Sequence, residues 1–199
     1  MNTRTSLLSL FALPLLHASA IDLTPRWIDT AIDGVPKRQR YFADGLKKFL
    51  LSIDRETEVG ARFDGAEFRF PKFPDIDFIM VPSQFKPDDA FDETKLPEYR
   101  EAARKLLPAR AHDAEIAEEK ANPIPINGWK SFRALIHFKM DSRACVQTVT
   151  FLNLNERDQI VLVTTAPERD WNEASERSWQ IFRSWQEMLP GDEGPAKGS

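Results

Sequence analysis

The chain has 199 residues, 42% of them hydrophobic and 29% charged, with a formal net charge of −4. Those fractions exclude wholesale disorder, and the absence of a concentrated Lys/Arg face excludes a nucleic-acid footprint. A lone cysteine, Cys145, excludes an internal disulfide.

Residues 1–20, MNTRTSLLSLFALPLLHASA, place Arg4 ahead of an apolar run over 7–16 and end in Ala18-Ser19-Ala20. Charge, apolar core and small residues in that order form an export signal with a cleavage site. The run falls short of the roughly 20 residues that span a bilayer. No cysteine follows the cleavage point, so no lipid anchor is expected. The segment predicts export to the periplasm or the exterior, with no stable membrane anchor after cleavage. A single α+β domain is then expected over 21–189, followed by a disordered tail over 190–199.

Residues 21–38 read as an irregular lead-in, broken by Pro25, Gly34 and Pro36. Residues 38–54 predict a hairpin about Asp44-Gly45, because such a pair tolerates the positive φ of a two-residue turn. Phe42, Phe49, Leu51 and Ile53 would share a face. A second Asp-Gly, at 64–65, joins TEVGARF to AEFRF. Val59, Ala61, Phe63, Ala66, Phe68 and Phe70 fall on one side of that hairpin, with Arg62, Glu67 and Arg69 on the other. The two hairpins do not match each other, so there is no repeat. Four prolines stud 71–87, and residues 76–81 between them predict a short strand, kept to an edge or ended by its prolines. Residues 96–107 predict a helix with Tyr99, Ala102, Ala103, Leu106 and Leu107 on one side, stopped by Pro108. Over 109–126 the Ala and Glu content favours helix, while the position suits a strand that completes the sheet. An irregular or extended segment is expected there.

Residues 129–140, 144–153 and 159–166 read as three strands separated by turns too short for a crossover helix, hence antiparallel. Phe132, Ala134, Ile136, Phe138 and Met140 alternate with Ser131, Arg133, His137 and Lys139. The third strand is apolar on both faces, Ile160 and Leu162 opposing Val161 and Val163, which predicts a central place. Asp170 starts a helix, with Glu173 positioned for the Asp-containing relative of a capping box. Trp171, Ala174, Ser178, Ile181, Phe182, Trp185, Met188 and Leu189 form its apolar stripe toward the sheet, and Pro190-Gly191 ends it.

Familiar catalytic signatures are missing. No Gly-x-Ser-x-Gly elbow occurs, and 8 glycines supply no phosphate-cradling loop. Beyond the export signal, His112, His137 and Cys145 make a poor zinc set, so neither metal nor cofactor is expected. Carboxylates are the abundant groups. Asp75 and Asp77 are placed on one strand face, while Asp88, Asp89, Asp92 and Glu93 cluster in a loop. That loop lacks EF-hand spacing; calcium coordination competes with a solvated acidic loop before a helix N-terminus, and the latter is preferred. A carboxylate-pair hydrolase stays open, since carboxylate separation is invisible in sequence. Cys145 reads as a small buried core residue.

Six of the 14 phenylalanines fall between 68 and 91. Phe68, Phe70 and Phe78 are assigned to the core. Phe85 and Phe91 flank prolines and acidic residues where a core is hard to continue, which makes them the candidate binding residues for a protein partner or an apolar ligand.

Early hairpins with AEFRFP, a strand running into VPSQF, a short helix, INGWKSFRALIHF, the TVTFL and IVLVTTA strands and a Trp-rich last helix follow one another over about 36–189. This order resembles the Mog1/PsbP-like α/β/α sandwich. The resemblance implies a mainly antiparallel sheet with N-terminal hairpins and a C-terminal helix packed on it, and a non-catalytic accessory or docking role; it carries over no site residue. Two readings follow: an exported, non-catalytic binding or accessory module, and, as the alternative, an exported carboxylate-based hydrolase.

Overall fold

The computed structural model describes residues 21–32, 35–44, 47–54, 56–62, 65–87, 91, 93–122 and 129–188. The expected irregular lead-in is instead a hairpin. Asp22–Ile32 (β1) and Val35–Asp44 (β2) pair antiparallel, Ile32 against Val35 and Asp22 against Ala43. Its prolines are tolerated through their positions. Pro25 falls in a register shift between Asp22 and Arg26 of an edge strand, and Pro36 lies on the stretch of β2 flanked by β1 alone. Lys47–Leu51 (β3) extends the sheet, with Phe42 opposite Phe49 and Asp44 opposite Lys47. Gly45 lies outside the described residues.

The second hairpin joins Glu58–Arg62 (β4) to Gly65–Arg69 (β5), setting Val59 opposite Phe68. Gly65 is required by a close approach: a Cβ there would stand 2.1 Å from the Met80 carbonyl oxygen. Asp77–Pro82 (β6) carries that Met80; it is ended by Pro82 but is not an edge strand. Leu96–Lys105 (α1) follows, with proline in its first turn, where no amide bond is lost, and with Tyr99, Ala102 and Ala103 buried. Residues 111–121, ambiguous in sequence, form the strand Ala111–Ala121 (β7) at the sheet edge. Two register shifts, a positive φ of 54° at Asp113 and largely exposed charged side chains blunt that edge against pairing with another chain.

Ser131–Met140 (β8), Arg143–Asn153 (β9) and Gln159–Pro167 (β10) complete a seven-stranded antiparallel sheet of order β4-β5-β6-β10-β9-β8-β7. The doubly apolar β10 takes its middle position, as its pattern requires. Trp171–Arg183 (α2) crosses one face, and Gln186–Glu187 (β11) joins β3, giving a second sheet of order β1-β2-β3-β11.

The capping box does not form. A short 3-10 turn, Glu168–Asp170, leads into α2, Asp170 makes no side-chain cap, and Glu173 pairs with Arg177 at 2.5 Å. The helix also stops well before Pro190. Ser184 Oγ donates to the Ile181 carbonyl at 2.5 Å and accepts from the Ser52 amide at 2.9 Å, which turns the chain away toward β3. Trp185 is therefore buried after the helix rather than on its stripe. It stacks on Phe42 and Phe49, with centroids 5.6 and 5.3 Å away.

Each face of the large sheet buries its own core. On one side Phe68, Phe78, Met80, Leu152, Ile160 and Leu162 meet Ile181 and Phe182 of α2 and Phe42, Phe49 and Leu51 of the small sheet. On the other, Phe132, Val149, Phe151, Val161 and Val163 pack under Tyr99, Ala102 and Ala103 of α1. The architecture is the anticipated α+β one, with helix α1 as one outer layer and α2 with the small sheet as the other.

Candidate functional site

Phe85 and Phe91 both sit beside α1. Phe85 lies 4.4 Å from the Tyr99 ring and 5.7 Å from Phe151, while Phe91 lies 5.0 Å from Tyr99 and 6.3 Å from Phe132. Both are half-buried, so each is seated on the core cluster and keeps part of its surface open. Polar ties hold the segment in place. Ser83 Oγ donates to Gln159 Oε1 at 2.6 Å and accepts from the Phe85 amide at 3.1 Å, and Asn153 Nδ2 donates to the Pro87 carbonyl at 2.7 Å. Pro87 then forms a wall of an open groove of about 340 Å³, shared with Trp129, Leu154 and Lys130. Asp88, Asp89 and Asp92 lie outside the described residues, and among the described residues no three potential metal ligands converge.

A second cavity, of about 300 Å³, opens where α1 ends, on the same face of the large sheet. Strand pairing builds its floor. Arg69 lies opposite Asp77, Asp77 opposite Thr165, and Thr165 opposite Gln147, so four strands place these residues in one row. Ile79 and Val163 flank the row, Leu106 and Pro108 wall it from beyond the helix, and Arg62 and Glu67 complete the polar side. Arg69 and Glu67 form an ion pair at 2.5 Å. Asp77 keeps an open side, yet burial pushes its carboxyl pKa up and the nearby Glu67 carboxylate adds to this; Arg62 and Arg69 oppose it without cancelling it.

Gln147 is the unusual member. Its side chain is completely buried. Oε1 accepts from Thr165 Oγ1 at 2.9 Å, while Nε2 meets no hydrogen-bond acceptor. A buried donor left unsatisfied costs about 1–3 kcal/mol. Sequence reading passed over it, although a signal existed: by alternation Gln147 falls on the face of Cys145, Val149 and Phe151, a polar residue in an apolar row.

The other candidates disperse. Asp75 lies in the turn before β6, where Arg169 Nη2 reaches it at 3.2 Å, and so it does not join Asp77 in the cavity. Buried Cys145 has its thiol pKa raised by desolvation. His137 is exposed, and His112 Nε2 lies 3.1 Å from the Asp141 carbonyl.

No family model matches the chain, and no curated protein matches it by sequence. Solved structures do. LpqN of Mycobacterium tuberculosis, involved in cell envelope biogenesis, aligns over 74% of this chain and 87% of its own at 8% identity, with a TM-score of 0.51. The likeness is one of fold. Cyanobacterial PsbP (CyanoP) from Synechocystis sp. PCC 6803 covers 89% of this chain and 98% of its own at 11% identity and a TM-score of 0.45. The Ran-binding protein Mog1p of Saccharomyces cerevisiae covers 82% and 96% at 12% identity and a TM-score of 0.38. At these identities no functional residue is transferred.

Proposed function

We propose that the protein is an exported, non-catalytic binding or accessory module. The observation that carries this reading is the aromatic segment beside α1. Phe85 and Phe91 are both seated on the Tyr99 ring, and each is only half-buried, so each keeps part of its ring surface open. Apolar anchors held rigid and rimmed by polar groups are how binding surfaces gain affinity. Export rests on residues 1–20, which lie outside the described residues; N-terminal sequencing of the mature protein should return Ile21, and Met1 would reject export. Among the described residues no helix is long and apolar enough to cross a membrane.

The partner surface is tested by a Phe85→Leu, Phe91→Leu double variant, which keeps apolar packing over Tyr99 while removing the aromatic edges. It should melt near the parent temperature and recover at least tenfold less partner from the native envelope, the loss of about 1.4 kcal/mol or more expected of an anchor. A stable variant that recovers its partner as well as the parent does would overturn the surface. Lys130→Glu, on the rim of the groove beyond Pro87, tests separately whether that groove takes part in partner binding.

A second reading, the carboxylate-based hydrolase, has one observation in its favour: Glu67 and Asp77 line one cavity, and the Asp77 pKa is raised by burial. Glu67 is engaged in an ion pair with Arg69. Hydrolysis of aryl glycosides or aryl esters that disappears in Asp77→Asn would establish this reading over the first.

A further inference from the structure

We propose that a third cavity, between α2 and the large sheet, binds one small tetrahedral oxyanion, phosphate or sulfate, on Arg133 and the hydroxyls of Thr148, Thr150 and Thr164. It lies on the opposite face of the sheet from Phe85 and Phe91, so this site and the partner surface can fail independently. On that face the apolar alternation of the core breaks off. Leu152 on β9 gives way to Thr150 and Thr148, and Ile160 and Leu162 on β10 give way to Thr164. Strand register gathers the donors: Thr148 stands opposite Thr164, and Thr150 opposite Arg133 of β8. Side chains opposed in this way have Cβ atoms about 4.5–5.5 Å apart. Ser175 lines the same cavity from α2.

These donors are unengaged and reachable. The hydroxyls of Thr148, Thr150 and Thr164 make no hydrogen bond to the described residues, and none of them is sealed from solvent as Gln147 Nε2 is. Arg133 is half-buried and likewise has no hydrogen bond or ion pair among the described residues. Glu118, the carboxylate whose charge it feels, is ion-paired with Lys120. Sign, shape and size then set the class. No described carboxylate lines the cavity, and a guanidinium only donates, so the lining suits an anion and neither a cation nor a neutral polyol. Its donors come from three strands and from the helix above them rather than from one plane, which suits a tetrahedral group better than a planar carboxylate. The volume is about 50 Å³, against the roughly 10–15 Å³ that one water needs; it holds a single such ion and is too small for a sugar ring. Apolar walls from Phe78, Leu162 and Phe182 lower the local dielectric and strengthen each charged hydrogen bond.

Isothermal titration calorimetry at constant ionic strength tests it, with sodium phosphate and sodium sulfate as ligands and sodium chloride and sodium acetate as controls. One saturable site is expected for phosphate or sulfate, weakened about tenfold or more in Arg133→Gln, as for a hydrogen bond to a charged group. Thr150→Val, which exchanges a hydroxyl for a methyl, should weaken it less; if Arg133→Gln fails to fold, Thr150→Val decides alone. Lys139→Gln removes the same charge farther along β8 and should bind as the parent does. Glycerol 3-phosphate separates the two sources of this chemistry: binding as tight as that of phosphate assigns the site to the head of a phosphate ester, and its exclusion assigns the free ion. No heat from either anion would overturn the proposal and assign the cavity to water. Acetate bound as tightly as phosphate, binding unchanged in Arg133→Gln, or an equal loss in Lys139→Gln would overturn it too.

Discussion

Asp77 and Gly65 show how much a single position depends on its neighbours across the sheet. Burial and Glu67 raise the Asp77 pKa in the folded state. A raised carboxyl pKa favours the native state in acid and opposes it once the pH exceeds the folded pKa. Asp77→Asn should therefore stabilise the protein at neutral pH, and the gain should vanish as the pH falls through the carboxylate range. Urea midpoints measured at neutral and acid pH check this; a variant less stable than the parent at neutral pH would contradict it. Gly65 is set by contact with the Met80 backbone, which has no room to retreat. Gly65→Ala should lose roughly 1–3 kcal/mol, as for other overpacked sites. At Gly60 a new Cβ would meet the flexible end of Glu67 at 3.3 Å, so Gly60→Ala should stay within about 0.5 kcal/mol.

Among the elements, the end of α2 depends on its connection more than on its own pattern. An apolar stripe continued to Leu189 is good evidence of burial, and Trp185 and Met188 are indeed buried. It is poor evidence of helix, because Ser184 meets Ser52 and the chain becomes a strand beside β3. Trp185 thus joins the last segment to the small sheet through Phe42 and Phe49. Trp185→Ala should cost about 3–5 kcal/mol, as for buried aromatics elsewhere, and denaturant unfolding measures it. Trp179, half-buried against Phe182 at 5.6 Å, should lose less when truncated. The strand β7 teaches the converse lesson: its Ala and Glu content favours helix, and an open edge on β8 outweighs that preference.

At the scale of the molecule, the two sheets share one core through α2, Trp185 and the first hairpins. A core that runs through both sheets leaves neither able to unfold alone. Tryptophan fluorescence and far-UV circular dichroism should therefore give coincident denaturation curves. Two separated transitions would show that the small sheet is an independent unit.

Periodicity settled those parts of the structure whose burial is local in origin. The alternation of Phe132, Ala134, Ile136 and Phe138, the doubly apolar run 160–163 and the Tyr99, Ala102, Ala103 stripe each name a face and an element, because a two- or 3.6-residue repeat is a property of the chain alone. The lead-in strand through Pro25 and Pro36, the stop at Ser184 and the edge strand β7 were decided by the availability of a neighbour to pair with, which no local pattern records. The same holds for the cavity. Glu67, Arg69, Asp77, Gln147 and Thr165 belong to four strands, and only their antiparallel registers bring these residues together beneath the end of α1.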